Sequence, residues 1–179
     1  MTIQPVSLAQ PTKRVARGPL PAGDRAPGFT LRCSQYRDIR LKDYRGRPLV
    51  VVFYVADWHP VCTAQLARYR DLHPELTRMS ADILAISSDT VWSHAAFAHA
   101  QQLSFPLLAD HSPRGKIARA YGVFDSRLQA AERALFVIDP SGTIAWSAMF
   151  PDAVDPGLDG ILTALEGLYG TPPMKGHPA

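Results

Sequence analysis

The stretch VVFYVADWHPVC, residues 51–62, begins as an uninterrupted apolar run and ends at a single cysteine. With the three residues before it, PLV, the run is rich in β-branched and aromatic side chains, which is typical of a central strand buried on both faces. The polar, proline-containing segment ADWHP then ends this strand. Cys62 therefore stands where a buried strand gives way to the next element of the chain.

Helical spacing begins directly after this cysteine. Apolar residues recur at Leu66, Tyr69, Leu72 and Leu76, which predicts a helix from Cys62 to about residue 79. Pro74 lies inside the run, and a proline in a helix interior removes one backbone hydrogen bond. We therefore expect the helix to kink at Pro74 or to begin a second part there.

Strands and helices alternate along the rest of the chain. The sequence predicts a buried strand in ADILAISS (81–88), an extended piece in FPLLAD (105–110) and two hairpins, one from FTLRC (29–33) and DIRL (38–41) and one in RALFVIDPSGTIAWSAM (133–149). Two helices are predicted between these strands: TVWSHAAFAHAQQL (90–103), capped by Asp89 or Thr90, and SPRGKIARAYGV (112–123), which starts at Ser-Pro. An amphipathic helix in PGLDGILTALEGLYG (156–170) ends the series and stops at Gly170. Such alternation implies a parallel sheet core, and the late hairpin adds antiparallel edges. The predicted fold is a mixed α/β sheet with helices on both faces, of the thioredoxin-like kind.

The overall composition fits one domain with a well-formed core. The chain has 179 residues, of which 46% are hydrophobic and 20% are charged. We predict a flexible arm over residues 1–22, a single domain over 23–169 and a flexible tail over 170–179, because both ends are polar and rich in proline. No apolar run approaches the roughly 18–20 residues needed to cross a bilayer, and the opening does not have the form of a secretory signal. A cytoplasmic protein with no membrane association is the expectation.

The charged, cysteine and histidine residues indicate no nucleic-acid, metal or cofactor site. The net charge is +3, from 19 basic and 16 acidic residues, and the basic residues are scattered. A mildly basic solvated surface explains this pattern better than a nucleic-acid footprint. The two cysteines form neither a disulfide framework nor a zinc pattern, and His94 and His99 are five apart on a predicted helix, so that they do not face one metal.

The position of Cys62 at a helix start favours a reactive thiol. The free N–H groups of a first helical turn and the helix dipole both stabilise a thiolate. An inert buried cysteine is the alternative. Dithiol exchange would need a second cysteine at His59 or Gln65, and copper delivery would need one at Trp58 or Leu66. What remains is one nucleophilic sulfur without a local partner, able to attack a peroxide bond and become a sulfenic acid.

Six blocks of the sequence resemble successive blocks of the peroxiredoxins, the alkyl hydroperoxide reductase and thiol-specific antioxidant family. They are AGDRAPGFTL, LKDYRGRPLVVVFYVADWHPVCTAQL, DILAISSDTVWSHAAFA, LSFPLLAD, IARAYGVFD and RALFVIDPSGTIAW, and the resemblance as a whole covers about residues 23–168. The likeness is to the one-cysteine and bacterioferritin-comigratory branches in particular. It implies a thiol-dependent peroxidase that reduces hydrogen peroxide or organic hydroperoxides.

The family's site is a Pro-x-x-x-Thr-x-x-Cys loop together with an arginine from a distant strand. The resemblance puts the reactive cysteine at Cys62 and the arginine at Arg133, whose guanidinium would hold the thiolate and the peroxide oxygens. Three positions depart from the family: its proline is Val55, its threonine is His59, and a frequent glutamate is Gln65. The catalytic candidates are therefore Cys62, Arg133 and His59.

The loop residues near Cys62 have roles that the sequence leaves open. His59 can offer an N–H donor in place of the threonine hydroxyl, or it can face solvent. Val55 lacks the ring that shields the sulfur, which predicts over-oxidation or altered substrate access. Trp58 would form an apolar wall of the peroxide pocket or a dimer contact. The predicted substrate pocket consists of Val55, Trp58 and Gln65.

The cysteine count predicts a one-cysteine mechanism. The family's resolving cysteines lie near the C-terminus or five residues after the reactive one, where this chain has Ala67, and Cys33 has no matching role. The expected reductant is a thioredoxin, a glutaredoxin-like protein or a small thiol, and the resemblance implies a possible homodimer. The alternative function is a non-catalytic or slow redox-sensing module, which a His59 that faces away from the sulfur would favour.

Overall fold

The computed structural model describes residues 18–169. The strands are β1 (Thr30–Ser34), β2 (Arg37–Arg40), β3 (Leu49–Phe53), β4 (Asp82–Ser87), β5 (Leu107–Ala109), β6 (Phe124–Asp125), β7 (Ala130–Ala131), β8 (Arg133–Ile138) and β9 (Ile144–Phe150). The helices are α1 (Pro60–Arg78), α2 (Val91–Gln101), α3 (Lys116–Ala120) and α4 (Asp159–Tyr169), with a 3-10 turn at Leu41–Tyr44. Within residues 18–169, no helix is both long and apolar enough to cross a membrane.

Seven strands form one mixed sheet in the order β2-β1-β5-β4-β3-β8-β9. Strands β3, β4 and β5 are parallel, and β8 pairs antiparallel with β3 and β9. The parallel centre and the antiparallel hairpin β8–β9 are those predicted from the sequence. The short pair β6–β7 lies outside this sheet and was not predicted.

Strand β3 separates two hydrophobic cores, because successive side chains of a strand point to opposite faces. Val50 and Val52 pack into a core with buried residues of α1, α2 and α4. Val51 and Phe53 pack into a second core with α3 and the N-terminal hairpin. All four side chains have zero exposure, which confirms the prediction of a strand buried on both faces with helices on both sides.

Helix α1 is one continuous helix from Pro60 to Arg78, with Pro74 inside it. Pro74 therefore does not begin a second helix. Pro60 occupies the first helical position, where a missing N–H costs no intrahelical bond. Cys62 is consequently the third residue of α1, within the first turn.

The predicted start of α3 at Ser-Pro is wrong, because the helix begins at Lys116. Gly115 precedes it in a left-handed conformation with φ of 68°, which glycine adopts without strain. The side chain of Asp110 accepts hydrogen bonds from the N–H groups of Ile117 and Ala118 at 2.9 Å. The Asp110 carboxylate, six residues before the helix, thus caps α3, whereas the sequence predicted a helix start at Ser112-Pro113.

The predicted terminal segments lie largely outside the described residues. This applies to residues 1–17 of the predicted arm and to the tail from Gly170 onward. In the described part of the arm, the N–H of Leu20 donates to the carbonyl of Tyr121 at 3.1 Å, and its carbonyl accepts from Ser147. The domain boundary at residue 23 stays a prediction.

Candidate active site

Cys62 is buried at the start of α1, at the carboxyl end of β3. Its side chain has zero exposure and belongs to the core on the α1 face of the sheet, together with Leu66 and Tyr69. Helical spacing places these residues on the same side of α1. The N–H groups of the first turn of α1 have no intrahelical partner and point to the N-terminal end of the helix, where the helix dipole favours a negative charge. The fold thus places a buried thiol within the first turn of α1, at the positive end of the helix dipole.

Arg133 lies next to this sulfur although 71 residues separate the two in the chain. Strand β8 pairs with β3 so that Ala134 lies opposite Phe53, which brings Arg133 to the end of β3 where α1 begins. Its Nη2 donates to Cys62 Sγ at 3.5 Å, and its side chain is completely buried. The structure therefore places a buried guanidinium in direct contact with the thiol.

Gln65 holds the guanidinium from one turn further along α1. Its Oε1 accepts a hydrogen bond from Arg133 Nη1, and its Nε2 donates to the hydroxyl of Tyr69 at 3.1 Å. Burial raises the pKa of Tyr69, although the Gln65 hydrogen bond acts in the opposite direction. Tyr69 therefore stays a neutral hydroxyl, and the chain from Tyr69 through Gln65 to Arg133 fixes the orientation of the guanidinium.

Asp152, which the sequence did not indicate, also contacts Arg133. It lies in the loop between β9 and α4, where its carbonyl accepts from Arg133 Nη2 at 2.9 Å and its Oδ1 lies 3.3 Å from the same nitrogen. The side chain is 51% exposed. Two acidic residues in PDAVDPG, directly after the hairpin, are the available sequence signal, but a polar loop explains them equally well. Arg133 therefore connects the buried thiol to a half-exposed carboxylate.

The ring of His59 is directed to Asp152 and not to the sulfur. His59 precedes α1 as its N-cap residue, and its Nε2 lies 3.7 Å from Asp152 Oδ2. Its Nδ1 has no hydrogen-bond partner in the described part of the chain. Neither ring nitrogen thus occupies the place expected for a donor to Cys62.

The two remaining pocket candidates lie near the start and near the end of the loop that joins β3 to α1. Val55 is partly buried and packs against the core that contains Cys62. Trp58 has a left-handed backbone with φ of 65°, and its ring packs edge-on against Phe97 of α2 at 5.1 Å between centroids. Trp58 is 54% exposed, so that one part of the ring covers α2 and the other part faces solvent.

A second buried polar cluster holds the same loop from the α2 side. The Asp57 carboxylate accepts from the Tyr54 hydroxyl at 2.8 Å and pairs with His94 Nδ1 at 3.0 Å. The backbone N–H of Asp57 donates to Asp89 at 2.9 Å. Burial alone would raise the pKa of Asp57, but the hydrogen bond and charge of His94 and the bond from Tyr54 outweigh it, so that the pKa is lowered. His94 is thus a buried partner of a carboxylate, which its helical position alone did not reveal.

Cys33 lies on the opposite face of the sheet from Cys62. It is partly buried against the core that contains Val51 and Phe53, and its Sγ donates to the carbonyl of Arg37 at 3.5 Å. Burial, partly opposed by the charge of Arg37, raises the pKa of the Cys33 thiol. Two thiols on different faces of one sheet are not placed to form a disulfide, which requires Cα atoms within about 7 Å.

Comparisons with known proteins agree with this fold. A rice relative, the chloroplastic peroxiredoxin Q of Oryza sativa subsp. japonica, is 34% identical over 134 residues, which cover 74% of this chain and 61% of the relative. The crystal structure of peroxidoxin BcpB from Mycobacterium tuberculosis superposes with a TM-score of 0.71 at 29% identity and covers 84% of this chain and 97% of that one. The thioredoxin-like fold predicted from the sequence is thereby confirmed.

The sequence comparison also identifies the family. Alkyl hydroperoxide reductase E of Mycobacterium tuberculosis is 36% identical over 131 residues, covering 73% of this chain and 86% of the relative. The profile of the AhpC/TSA family matches residues 22–147, which include Cys62 and Arg133. The chain belongs to the AhpC/TSA family, the peroxiredoxins that its sequence resembles.

Proposed function

We propose that this protein is a thiol-dependent peroxidase that reduces hydrogen peroxide or organic hydroperoxides through Cys62. The observation that carries the proposal is the contact of 3.5 Å between Arg133 Nη2 and Cys62 Sγ at the start of α1. A guanidinium and a helix start both favour the thiolate, which is the nucleophilic form of cysteine. Family membership adds support, because relatives named alkyl hydroperoxide reductase E and peroxiredoxin Q are 36% and 34% identical to this chain over 131 and 134 residues.

The reaction begins with attack of the Cys62 thiolate on the terminal oxygen of the hydroperoxide. A bond forms between sulfur and that oxygen while the O–O bond breaks, and its electron pair leaves on the second oxygen as alkoxide or hydroxide. A proton from solvent converts this leaving group into an alcohol or water. Cys62 is oxidised to a sulfenic acid and the hydroperoxide is reduced.

Arg133 would act on the oxygen that leaves. Its guanidinium is fully buried and held by Gln65, so that it stabilises developing negative charge without having to reorient. Its Nε has no hydrogen-bond partner among the described residues and remains available to an incoming oxygen atom. We assign Arg133 a catalytic role and Gln65 a positioning role.

The separation of the two thiols supports a one-cysteine cycle. Cys33 packs in the core on the other face of the sheet, and burial raises its pKa, so that it is a poor partner for an oxidised Cys62. An outside thiol must then condense with the sulfenic acid to give a mixed disulfide and water, and a second thiol must release the enzyme. A thioredoxin, a glutaredoxin-like protein or a small thiol has the required chemistry. The cytoplasmic location and the homodimer stay predictions.

A slow redox-sensing module is the second candidate, and one observation favours it. His59 stands where the family has a threonine that assists the peroxide, yet its Nε2 is directed to Asp152 at 3.7 Å. Cys62 has zero exposure as well, so that the loop over it must move before a peroxide arrives. A reaction in seconds would fit a peroxidase, whereas a reaction over many minutes would fit a sensor.

Stopped-flow reaction of the reduced protein with hydrogen peroxide tests the proposal. We expect Cys62→Ser to abolish peroxide consumption and Cys33→Ser to leave the rate within twofold, because only Cys62 contacts Arg133. Mass spectrometry after dimedone trapping should show one sulfenic acid, at Cys62. A non-reducing peptide map should show no bridge between the two cysteines.

Two results would contradict this assignment. Peroxide consumption that survives in Cys62→Ser would remove Cys62 as the nucleophile. A peptide that links Cys33 to Cys62 after oxidation would exclude the one-cysteine cycle while leaving the peroxidase activity in place.

A further inference from the structure

The exposed end of the site carries a negative charge. Cys62 and Arg133 are fully buried, and Asp152 is the half-exposed group that contacts the guanidinium. Its carbonyl and its Oδ1 both bind Arg133 Nη2, the same nitrogen that contacts the sulfur. A molecule that reaches this nitrogen past the loop between β9 and α4 therefore meets the Asp152 carboxylate.

Asp152 also alters the charge that the site presents to solvent. A buried guanidinium on its own would attract anions, because its charge is only weakly screened. The carboxylate at 3.3 Å offsets this attraction, and its second oxygen faces His59 at 3.7 Å. On its solvent side, the site thus presents the Arg133 cation already paired with the Asp152 anion.

The loop that carries Asp152 is held onto α1 by a second ion pair. Asp155 Oδ2 lies 3.3 Å from Arg68 Nε, on the third turn of α1. Asp155 therefore contributes to the same loop without contacting Arg133, which makes it a matched control for Asp152. Removal of either carboxylate loosens the loop, but only Asp152 changes the charge beside the guanidinium.

We propose that Asp152 is a specificity-determining residue that discriminates against oxidants carrying a negative charge beside the reacting atom. The inference rests on the proposed function and deepens it, because it concerns which hydroperoxides reach Cys62. Neutral hydroperoxides approach the Arg133 donors without electrostatic cost. Anionic ones must approach a carboxylate at close range, where like charges repel strongly in a partly desolvated site.

A pair of alkylating reagents tests the charge selection without requiring peroxidase activity. Iodoacetamide is neutral and iodoacetate is anionic, and in both cases the thiolate displaces iodide and forms a sulfur–carbon bond. Peptide mass spectrometry follows Cys62 and Cys33 separately in one sample. We expect Asp152→Asn to raise the iodoacetate-to-iodoacetamide rate ratio at Cys62 by about tenfold and to leave the ratio at Cys33 unchanged.

The same comparison is then made with two oxidants, peroxymonosulfate and hydrogen peroxide. The thiolate takes the terminal oxygen of either one, and the leaving group is sulfate in the first case and hydroxide in the second. We expect Asp152→Asn to raise the peroxymonosulfate-to-peroxide rate ratio by about tenfold. Asp155→Asn and Asp24→Asn, whose side chain is exposed near the turn end of the β8–β9 hairpin, should change it less than twofold.

The outcomes separate the two proposals. An unchanged ratio at Cys62 in Asp152→Asn, or an equal rise in Asp155→Asn, would overturn the role of Asp152. A shifted alkylation ratio in a protein that consumes no peroxide would support charge selection and overturn the proposed function alone. Asp152→Ser is the second variant, should Asp152→Asn fold poorly.

Discussion

Two buried polar clusters adjoin the loop that joins β3 to α1, and they differ in which atoms their charged groups contact. In the loop cluster of Tyr54, Asp57 and His94, the carboxylate receives two side-chain donors at 2.8 and 3.0 Å. In the nucleophile cluster of Cys62 and Arg133, one guanidinium nitrogen contacts the sulfur, and Nε has no partner within residues 18–169. Each cluster leaves one buried nitrogen without a partner among the described residues, His94 Nε2 in the first and Arg133 Nε in the second, but only the second places its charged group against a nucleophilic atom.

The distinction has an energetic basis. A buried ion pair resists the removal of one member, because the other is left charged and without a partner. A charged donor that contacts a reactive atom acts instead on the charge that develops there during the reaction. Changes in the loop cluster should therefore mainly affect stability, whereas changes in the nucleophile cluster should mainly affect the rate of peroxide reduction.

The largest expected effect is on the stability provided by the loop cluster. We expect Asp57→Ala to lower the free energy of unfolding by about 3–5 kcal/mol, because it removes the carboxylate that the Tyr54 hydroxyl and His94 share and leaves them only their mutual contact at 3.3 Å. Urea denaturation followed by circular dichroism measures this change. Asp38→Ala is the matched control, since it removes an exposed pair with Arg32 at 3.7 Å and should cost less than about 1 kcal/mol.

Equal stability losses in Asp57→Ala and Asp38→Ala would show that the loop cluster does not hold the fold. If the folded fraction of Asp57→Ala also lost most of its reactivity at Cys62, the assignment of stability to one cluster and of rate to the other would be wrong. The rate per folded molecule, obtained in low urea, is the quantity to compare.

The next effect concerns the rate. Arg133→Ala should slow peroxide consumption more than tenfold, because a charged donor contributes about 1.5–3 kcal/mol to the transition state. Arg133→Lys keeps the charge but cannot contact both Cys62 and Gln65 in the present geometry, and it should recover only part of the rate. Stopped-flow measurement with Arg127→Ala, an 87% exposed control, checks both values. An unchanged rate in Arg133→Ala would remove this residue from the site.

The sequence predicted the sheet well because its pattern is continuous. Strand β3 is an unbroken run of β-branched and apolar residues, the two strands of the hairpin β8–β9 are mostly apolar, and each element forms where it was expected. Helix α3 starts later than predicted because its cap is the side chain of Asp110, outside the short window in which capping motifs are recognised.

The site could be predicted only in part. Cys62 follows from its position after a strand, but Arg133 came from the family resemblance and not from periodicity. Asp152 and the pair of Asp57 with His94 have no pattern of their own, because loop acids are common and their partners lie 19 and 37 residues away. Contacts of this kind depend on how loops cross the end of the sheet, which local spacing does not encode.

The smallest expected effect is at His59, the residue that replaces the family's threonine. Its ring pairs with half-exposed Asp152 at 3.7 Å and does not contact Cys62, and partly exposed pairs contribute less than about 1 kcal/mol. His59→Ala should therefore change the rate of peroxide consumption less than about fivefold, in stopped-flow measurements beside Arg133→Ala. His59→Thr supplies the hydroxyl that the family uses. A loss above tenfold in His59→Ala that His59→Thr restores would show that the histidine ring turns to the peroxide during reaction, and the nucleophile cluster would then include His59.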